Sequence, residues 1–176
     1  MSDSIQHGTA QFKRYLSQPE ITALVEQLAA QIRRDFPTQT LHLIGVLKGA
    51  FMFTADLMRA LKTDVEIDFV RLSQASGTVT LLKDISRDVE GKHVLIVEEI
   101  VDSGRSLQFL YDRILASKPA SLNVVTLLDK RSRRLVEVPI RYVGRTVDEP
   151  FLIGYGLDLE ERDRNLPEIY TLAHPH

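Results

Sequence analysis

The sequence has no cysteine, which excludes a disulfide framework, a thiolate nucleophile and a thiolate metal centre. No stretch approaches the roughly 18 consecutive apolar residues of a membrane-spanning helix. The opening residues, MSDSIQHGTAQFKRYL, hold no apolar run of the kind a signal peptide needs. Excess positive charge is absent too. The formal net charge is −2, whereas a dedicated nucleic-acid binder usually carries a basic field. The one basic cluster is Lys130, Arg131, Arg133 and Arg134; its plain reading is a solvated loop, with a substrate role open for part of it. Internal repeats, low-complexity tracts and long linkers are also missing. What is present is an ordinary globular composition over 176 residues, enough chain for one sizeable core. The expectation is a soluble, cytoplasmic single domain over 1–176, with neither a membrane nor a nucleic-acid partner.

Periodicity gives the elements. Ser17 and Glu20 have capping-box spacing, which makes Ser17 the expected N-cap of a first helix. Ile21, Leu24, Val25, Leu28, Ala29 and Ile32 then recur at helical spacing and form one apolar face. LHLIGVL (41–47) reads as a buried strand that Gly49 breaks, and AFMFTADLMRAL as the following helix. VEIDFVRL (65–72) alternates like a strand; the small polar residues from Ser73 to Thr80 read as a loop. VLIV (94–97) and LNVVTLL (122–128) are further buried strands, with a helix marked by Leu107, Leu110, Tyr111, Ile114 and Leu115 between them. Strands alternating with helices imply a mainly parallel α/β sheet covered on both faces. Ligands of such sheets bind outside the carboxyl ends of the strands.

The strongest functional signal is VLIVEEIVDSGRS (94–106). An apolar strand runs into two acids, then into a turn that opens a helix. Gly104 permits the tight turn, and backbone N–H groups at a helix start suit a phosphate. Ser103 and Ser106 add hydroxyl donors. Glu98 and Glu99 repel a phosphate, but suit sugar hydroxyls or a magnesium ion bound to them. One short segment therefore has groups for both ends of a ribose 5-phosphate. The same residues also make an ordinary strand–loop–helix, because Asp and Ser at a helix start are common for capping alone.

With its two acids and Asp-Ser-Gly-Arg-Ser turn, this segment resembles the phosphoribosyl pyrophosphate (PRPP) site of type I phosphoribosyltransferases. The resemblance implies the fold of that family, a mainly parallel sheet flanked by helices with a small base-binding hood. It implies that Asp102, Ser103, Gly104, Arg105 and Ser106 hold the 5-phosphate, and that Glu98 and Glu99 face the ribose hydroxyls and a magnesium ion. Leu47, Lys48 and Gly49 end the first buried strand; in the family this Leu-Lys-Gly is the pyrophosphate loop, with a non-proline cis peptide between Leu47 and Lys48. LLDKRSRR (127–134) and DEPFLIGYGLDLEERDRNLP (148–167) resemble the base-binding end of the hypoxanthine and hypoxanthine-guanine members. By that similarity Lys130 donates to the purine 6-oxygen, Phe151 stacks on the ring, Leu152 offers backbone groups, Asp158 lies near the base and a second magnesium, and Arg164 holds pyrophosphate. Asp102 is implied as the base that handles the purine N7 proton.

The resemblance makes the chain a magnesium-dependent purine-salvage transferase acting on PRPP and a 6-oxopurine, as a homodimer or tetramer. A xanthine-guanine preference stays open, as does an RNA-binding regulator on the same scaffold. Two departures stand out. The second acid, usually Asp, is Glu99. The family's flexible flap usually opens with a Ser-Tyr pair; here RLSQASGTVTLLKD (71–84) has Gln74 after Ser73 and is short, with Ser76 and Gly77 as its expected tip.

Overall fold

Glu20 is the third residue of the first helix, and its carboxylate accepts the backbone N–H of Ser17 at 2.9 Å and the Ser17 hydroxyl at 2.8 Å. This local start signal works as the sequence predicts. A computed structural model describes residues 3–7, 10–75 and 77–173. In chain order the elements are β1 (Ser4–His7), β2 (Ala10–Leu16), α1 (Gln18–Asp35), β3 (Leu41–Leu47), α2 (Phe51–Leu61), β4 (Val65–Ala75), β5 (Thr78–Lys83), β6 (His93–Val101), α3 (Arg105–Leu115), β7 (Ser121–Asp129), β8 (Tyr142–Thr146), β9 (Leu152–Ile153) and β10 (Ile169–Leu172).

The main sheet has the order β5-β4-β3-β6-β7-β8, parallel throughout except for the antiparallel β4–β5 edge. Its central strands are apolar on both sides because both faces are covered. Leu43, Leu95, Val97, Val125 and Leu127 point to one side and pack with the α1 and α2 residues Leu28, Ile32, Phe53 and Leu57. Ile44, Val46, Val94, Ile96 and Val124 point to the other and pack with Leu107, Leu110 and Ile114 of α3. The mainly parallel sheet between helices stands as expected.

Two readings need correction. Residues 73–80 are not a loop: β4 continues to Ala75 and β5 starts at Thr78. Gln74 pairs with Val79 and Ala75 with Thr78 across the hairpin. Small polar side chains leave no alternation to read, while backbone pairing forms the strands regardless. Gly77 sits at the tip with φ +82; Ser76 lies outside the described residues. The basic cluster is not simply a solvated loop either. Arg134 and Asp129 form a buried ion pair, and Lys130 is 5% exposed.

A second, antiparallel sheet, β1-β2-β10-β9, has no counterpart among the elements expected from periodicity. It closes over Phe12, Ile153 and Tyr170 and carries Leu152 on β9. No helix among the described residues is long and apolar enough to cross a membrane.

Candidate active site

The carboxyl ends of β3, β6 and β7 bring the sequence motifs together. β3 ends at Leu47, where a cis peptide joins Leu47 to Lys48. β6 carries Glu98 and Glu99 and ends at Val101. The turn 102–104 follows, and α3 begins at Arg105 with Gly104 as its N-cap at φ +85. Only glycine fits there: its conformation is left-handed, and a Cβ would overlap the Val136 carbonyl. Ser103 is pinned from the other side, its carbonyl accepting the N–H groups of Leu135 at 2.9 Å and Val136 at 3.0 Å. Beside this turn lies a cavity of about 150 Å³ walled by Glu98, Asp102, Ser103, Gly104 and Ser106 together with Gln74.

Asp102 is not the helix cap. Its carboxylate faces the basic cluster instead, with Arg133 Nε at 3.1 Å from Oδ1 and Lys130 Nζ at 4.0 Å from Oδ2. Lys130 Nζ also donates to the Pro150 carbonyl at 2.9 Å. Burial pulls the Lys130 pKa down, against the opposing pull of Asp102. Phe151, next along the chain, is 38% exposed, with its ring tilted against Phe12 at 6.4 Å between centroids. Leu152 is buried, and its backbone pairs with Thr171. Lys130, Phe151 and Leu152 therefore meet at the junction of the two sheets.

Lys48 and Arg164 are both held by internal contacts. Lys48 Nζ donates to Glu161 Oε2 at 2.6 Å. Arg164 reaches Asp158 at 2.9 Å, Glu161 at 3.4 Å and the Gly156 carbonyl at 2.8 Å. The hydrogen bond from Lys48 draws the Glu161 pKa below its ordinary value. Gly49 joins this loop to the acids, since a Cβ there would overlap the Glu99 carboxyl group, while the Gly49 carbonyl lies against Gly156.

Glu98 and Glu99 share a buried site. Burial raises the Glu98 pKa well above the usual carboxylate range, with the neighbouring Glu99 charge adding to it. Burial likewise pushes Glu99 up to about 7, partly countered by its hydrogen bonds and Arg164. Glu99 Oε2 has no hydrogen-bond partner. Two crowded carboxylates, one with an orphaned oxygen, fit a hard cation shared with substrate oxygens. Among the described residues no group of three or more His, Cys or acidic side chains forms a ready-made metal cage; Asp158 lies near enough for its charge to act on Glu99. It is engaged by Arg164 and by the Glu161 backbone N–H at 2.9 Å.

The model of the phosphoribosyl transferase domain matches residues 11–160. A hypoxanthine-guanine phosphoribosyltransferase of Aquifex aeolicus is 39% identical over 167 residues, covering 91% of this chain and 94% of the relative. The chain belongs to the phosphoribosyltransferase family. The crystal structure of a hypoxanthine-guanine phosphoribosyltransferase from Bacillus anthracis matches with a TM-score of 0.88 at 45% identity, over 91% of this chain and 97% of that one. Hypoxanthine phosphoribosyltransferase from Trypanosoma cruzi, in complex with the product IMP, matches at 0.87 and 38%, over 96% and 97%. Neither the xanthine-guanine reading nor the RNA-binding regulator is favoured by these relatives.

In this phosphoribosyltransferase the raised acid pair has a consequence for stability. The unfolded chain gives up the Glu99 proton near the ordinary value of 4.5, the folded chain near 7. Between those values the folded state binds more protons, so stability falls as pH rises through this window. The ligand-free protein is expected to melt about 3–5 °C lower at pH 8 than at pH 5.5, and the double variant Glu98→Gln, Glu99→Gln to remove most of that difference, since burial raises both groups. Parallel thermal melts of both proteins check this; equal pH dependence would remove the acid pair as its source.

Sequence reasoning missed Glu161, which holds Lys48, and gave Arg133 no partner. It noted Gln74 only as a departure. Nothing local signals these contacts, because each joins residues distant in sequence.

Proposed function

We propose that this phosphoribosyltransferase moves the 5-phosphoribosyl group of PRPP to hypoxanthine, releasing pyrophosphate and leaving IMP, as a step of purine salvage. The observation that carries this reading is the convergence, at one end of the main sheet, of a cavity beside the turn 102–104, a buried acid pair, and Lys130 bonded to the Pro150 carbonyl next to a half-exposed Phe151. The 5-phosphate would sit in the turn 102–106, where the backbone N–H groups that open α3 face it. Arg105 belongs to that first turn. Glu98 and Glu99 would hold the ribose hydroxyls and a magnesium ion, with Asp158 serving a second ion at the base end. Magnesium, when bound with PRPP, supplies positive charge to the phosphate oxygens. Lys48, Arg164 and the backbone of residues 47–49 would take the leaving pyrophosphate.

The base stacks on Phe151, receives a hydrogen bond from Lys130 at its 6-oxygen, and meets backbone groups of Leu152. Asp102 takes the N7 proton, so that the N9 lone pair can attack the anomeric carbon as the bond to pyrophosphate breaks. Binding energy on the remote 5-phosphate positions that carbon. The setting is cytoplasmic, and the working unit a homodimer or tetramer.

The test is a spectrophotometric assay with PRPP, magnesium and each of hypoxanthine, guanine, xanthine and adenine. IMP formation from hypoxanthine is expected, with turnover lost on chelation of magnesium; no nucleotide from any 6-oxopurine would overturn the reading. Lys130→Ala separates the base site from the PRPP site. A site built to bond a substrate group suffers when the donor goes, so kcat/KM for hypoxanthine is expected to fall about 10²-fold or more, with PRPP affinity within about threefold. Steady-state kinetics in both substrates check this, and an unchanged KM and kcat for hypoxanthine would leave Lys130 a structural lysine.

A further inference from the structure

The short β4–β5 hairpin stands against the phosphate turn. Alternate residues of a strand share one face, and in β4 that row is Val70, Leu72 and Gln74. Val70 and Leu72 belong to the cluster under α3, so Gln74 ends an apolar row at the point where α3 begins. There the Ser106 hydroxyl donates to Gln74 Oε1 at 3.1 Å. Gln74 walls the same 150 Å³ cavity as Asp102, Ser103 and Ser106. At the hairpin tip, a Cβ on Gly77 would lie 3.9 Å from Arg105 Nη1. The hairpin therefore touches the start of α3 through the Gln74 side chain, and its tip lies near the Arg105 guanidinium.

We propose that Gln74 is a substrate-binding residue of the 5-phosphate site. This rests on the function proposed above and adds a ligand from a strand outside the phosphate motif. The chemistry follows from proton counting. A serine hydroxyl has one proton, and in the ligand-free chain Ser106 gives it to Gln74. A phosphate in the turn is an acceptor only, and it takes that proton. The neutral carboxamide then turns its NH₂ end toward the Ser106 oxygen and the phosphate, which an acidic side chain at this position cannot do. Gln74 thus holds the hydroxyl in place before binding and adds a donor after it.

The test compares Gln74→Ala and Gln74→Glu with the wild type, by kinetics in PRPP and by calorimetric binding of IMP and of inosine, which lacks the phosphate. Losing one neutral hydrogen bond is expected to raise the PRPP KM and the IMP Kd about fivefold in Gln74→Ala. Placing a carboxylate beside the phosphate is expected to raise both about 30-fold or more in Gln74→Glu. Inosine binding and the KM for hypoxanthine are expected to stay within about twofold. IMP and PRPP constants unchanged in both variants, with melting temperatures like the wild type, would make Gln74 a mere wall and overturn the inference. Equal weakening of IMP and inosine would overturn it too, since the effect would not depend on the phosphate. A wild-type protein that makes no IMP would instead sink the proposed function, and this inference with it.

Discussion

Asp102→Asn is expected to lower kcat by about 10²–10⁴, the usual loss when a general base is removed, while PRPP affinity and melting temperature stay close to wild type. The argument starts from what the carboxylate touches. In a turn that binds phosphate, an acid repels the ligand and needs another use. Capping of α3 is not that use, because Gly104 holds the N-cap position. The Asp102 oxygens face Arg133 at 3.1 Å and Lys130 at 4.0 Å, and Lys130 is the residue proposed above to read the base. With Lys130 at the 6-oxygen as proposed, a carboxylate beside it would lie on the N7 side of a 6-oxopurine, where a proton must leave. Asparagine keeps the shape and an oxygen for Arg133, but cannot take a proton. Measuring kcat, PRPP affinity and melting temperature on one preparation decides the matter; a kcat within about threefold of wild type would leave Asp102 an ion-pair partner of the basic cluster and nothing more.

Gly49→Ala is expected to cut kcat/KM for PRPP about 10²-fold, because misplacing a positioning loop by roughly 1 Å costs that much. Gly49 is buried between two groups: its Cα faces the Glu99 carboxyl and its carbonyl faces Gly156. A methyl there overlaps the carboxyl, so either the loop 47–49 or the acid must move. Both belong to the PRPP site proposed above, and the movement would separate Lys48 from the ribose end of the substrate. The unusual length of Glu99 supplies a control. Adding Glu99→Asp withdraws the carboxyl by one methylene, and the double variant is expected to recover about tenfold of the loss, as contacting sites couple non-additively. PRPP kinetics on both single variants and the double variant check this. Recovery absent in the double variant would move the cause from the Glu99 contact to the Gly156 side of the loop.

The parts of this protein legible in its sequence are those whose physics is local. The start of α1 is written in Ser17 and Glu20, three residues apart. The buried strands β3, β6 and β7 are continuous apolar runs because helices cover both faces of the sheet. The segment 94–106 could be read as a phosphate and ribose site because strand, acids, turn and helix start follow one another without interruption. The short strands were illegible for the opposite reason. β9 spans two residues, Leu152 and Ile153, too few to show a period, and β2 finds its partner β10 at the far end of the chain, with Phe12 opposite Leu172.

The sequence by itself determined the α/β alternation, the phosphate turn and the order of the motifs. Only the tertiary structure decided which of those residues meet. It set Asp102 against Arg133 and Lys130, Gly49 against Glu99, Lys48 against Glu161, and Gln74 against Ser106. Parallel strands are joined by crossovers that return every carboxyl end to the same edge of the sheet. Side chains far apart along the chain therefore become neighbours there, and no local spacing records which pairs will touch.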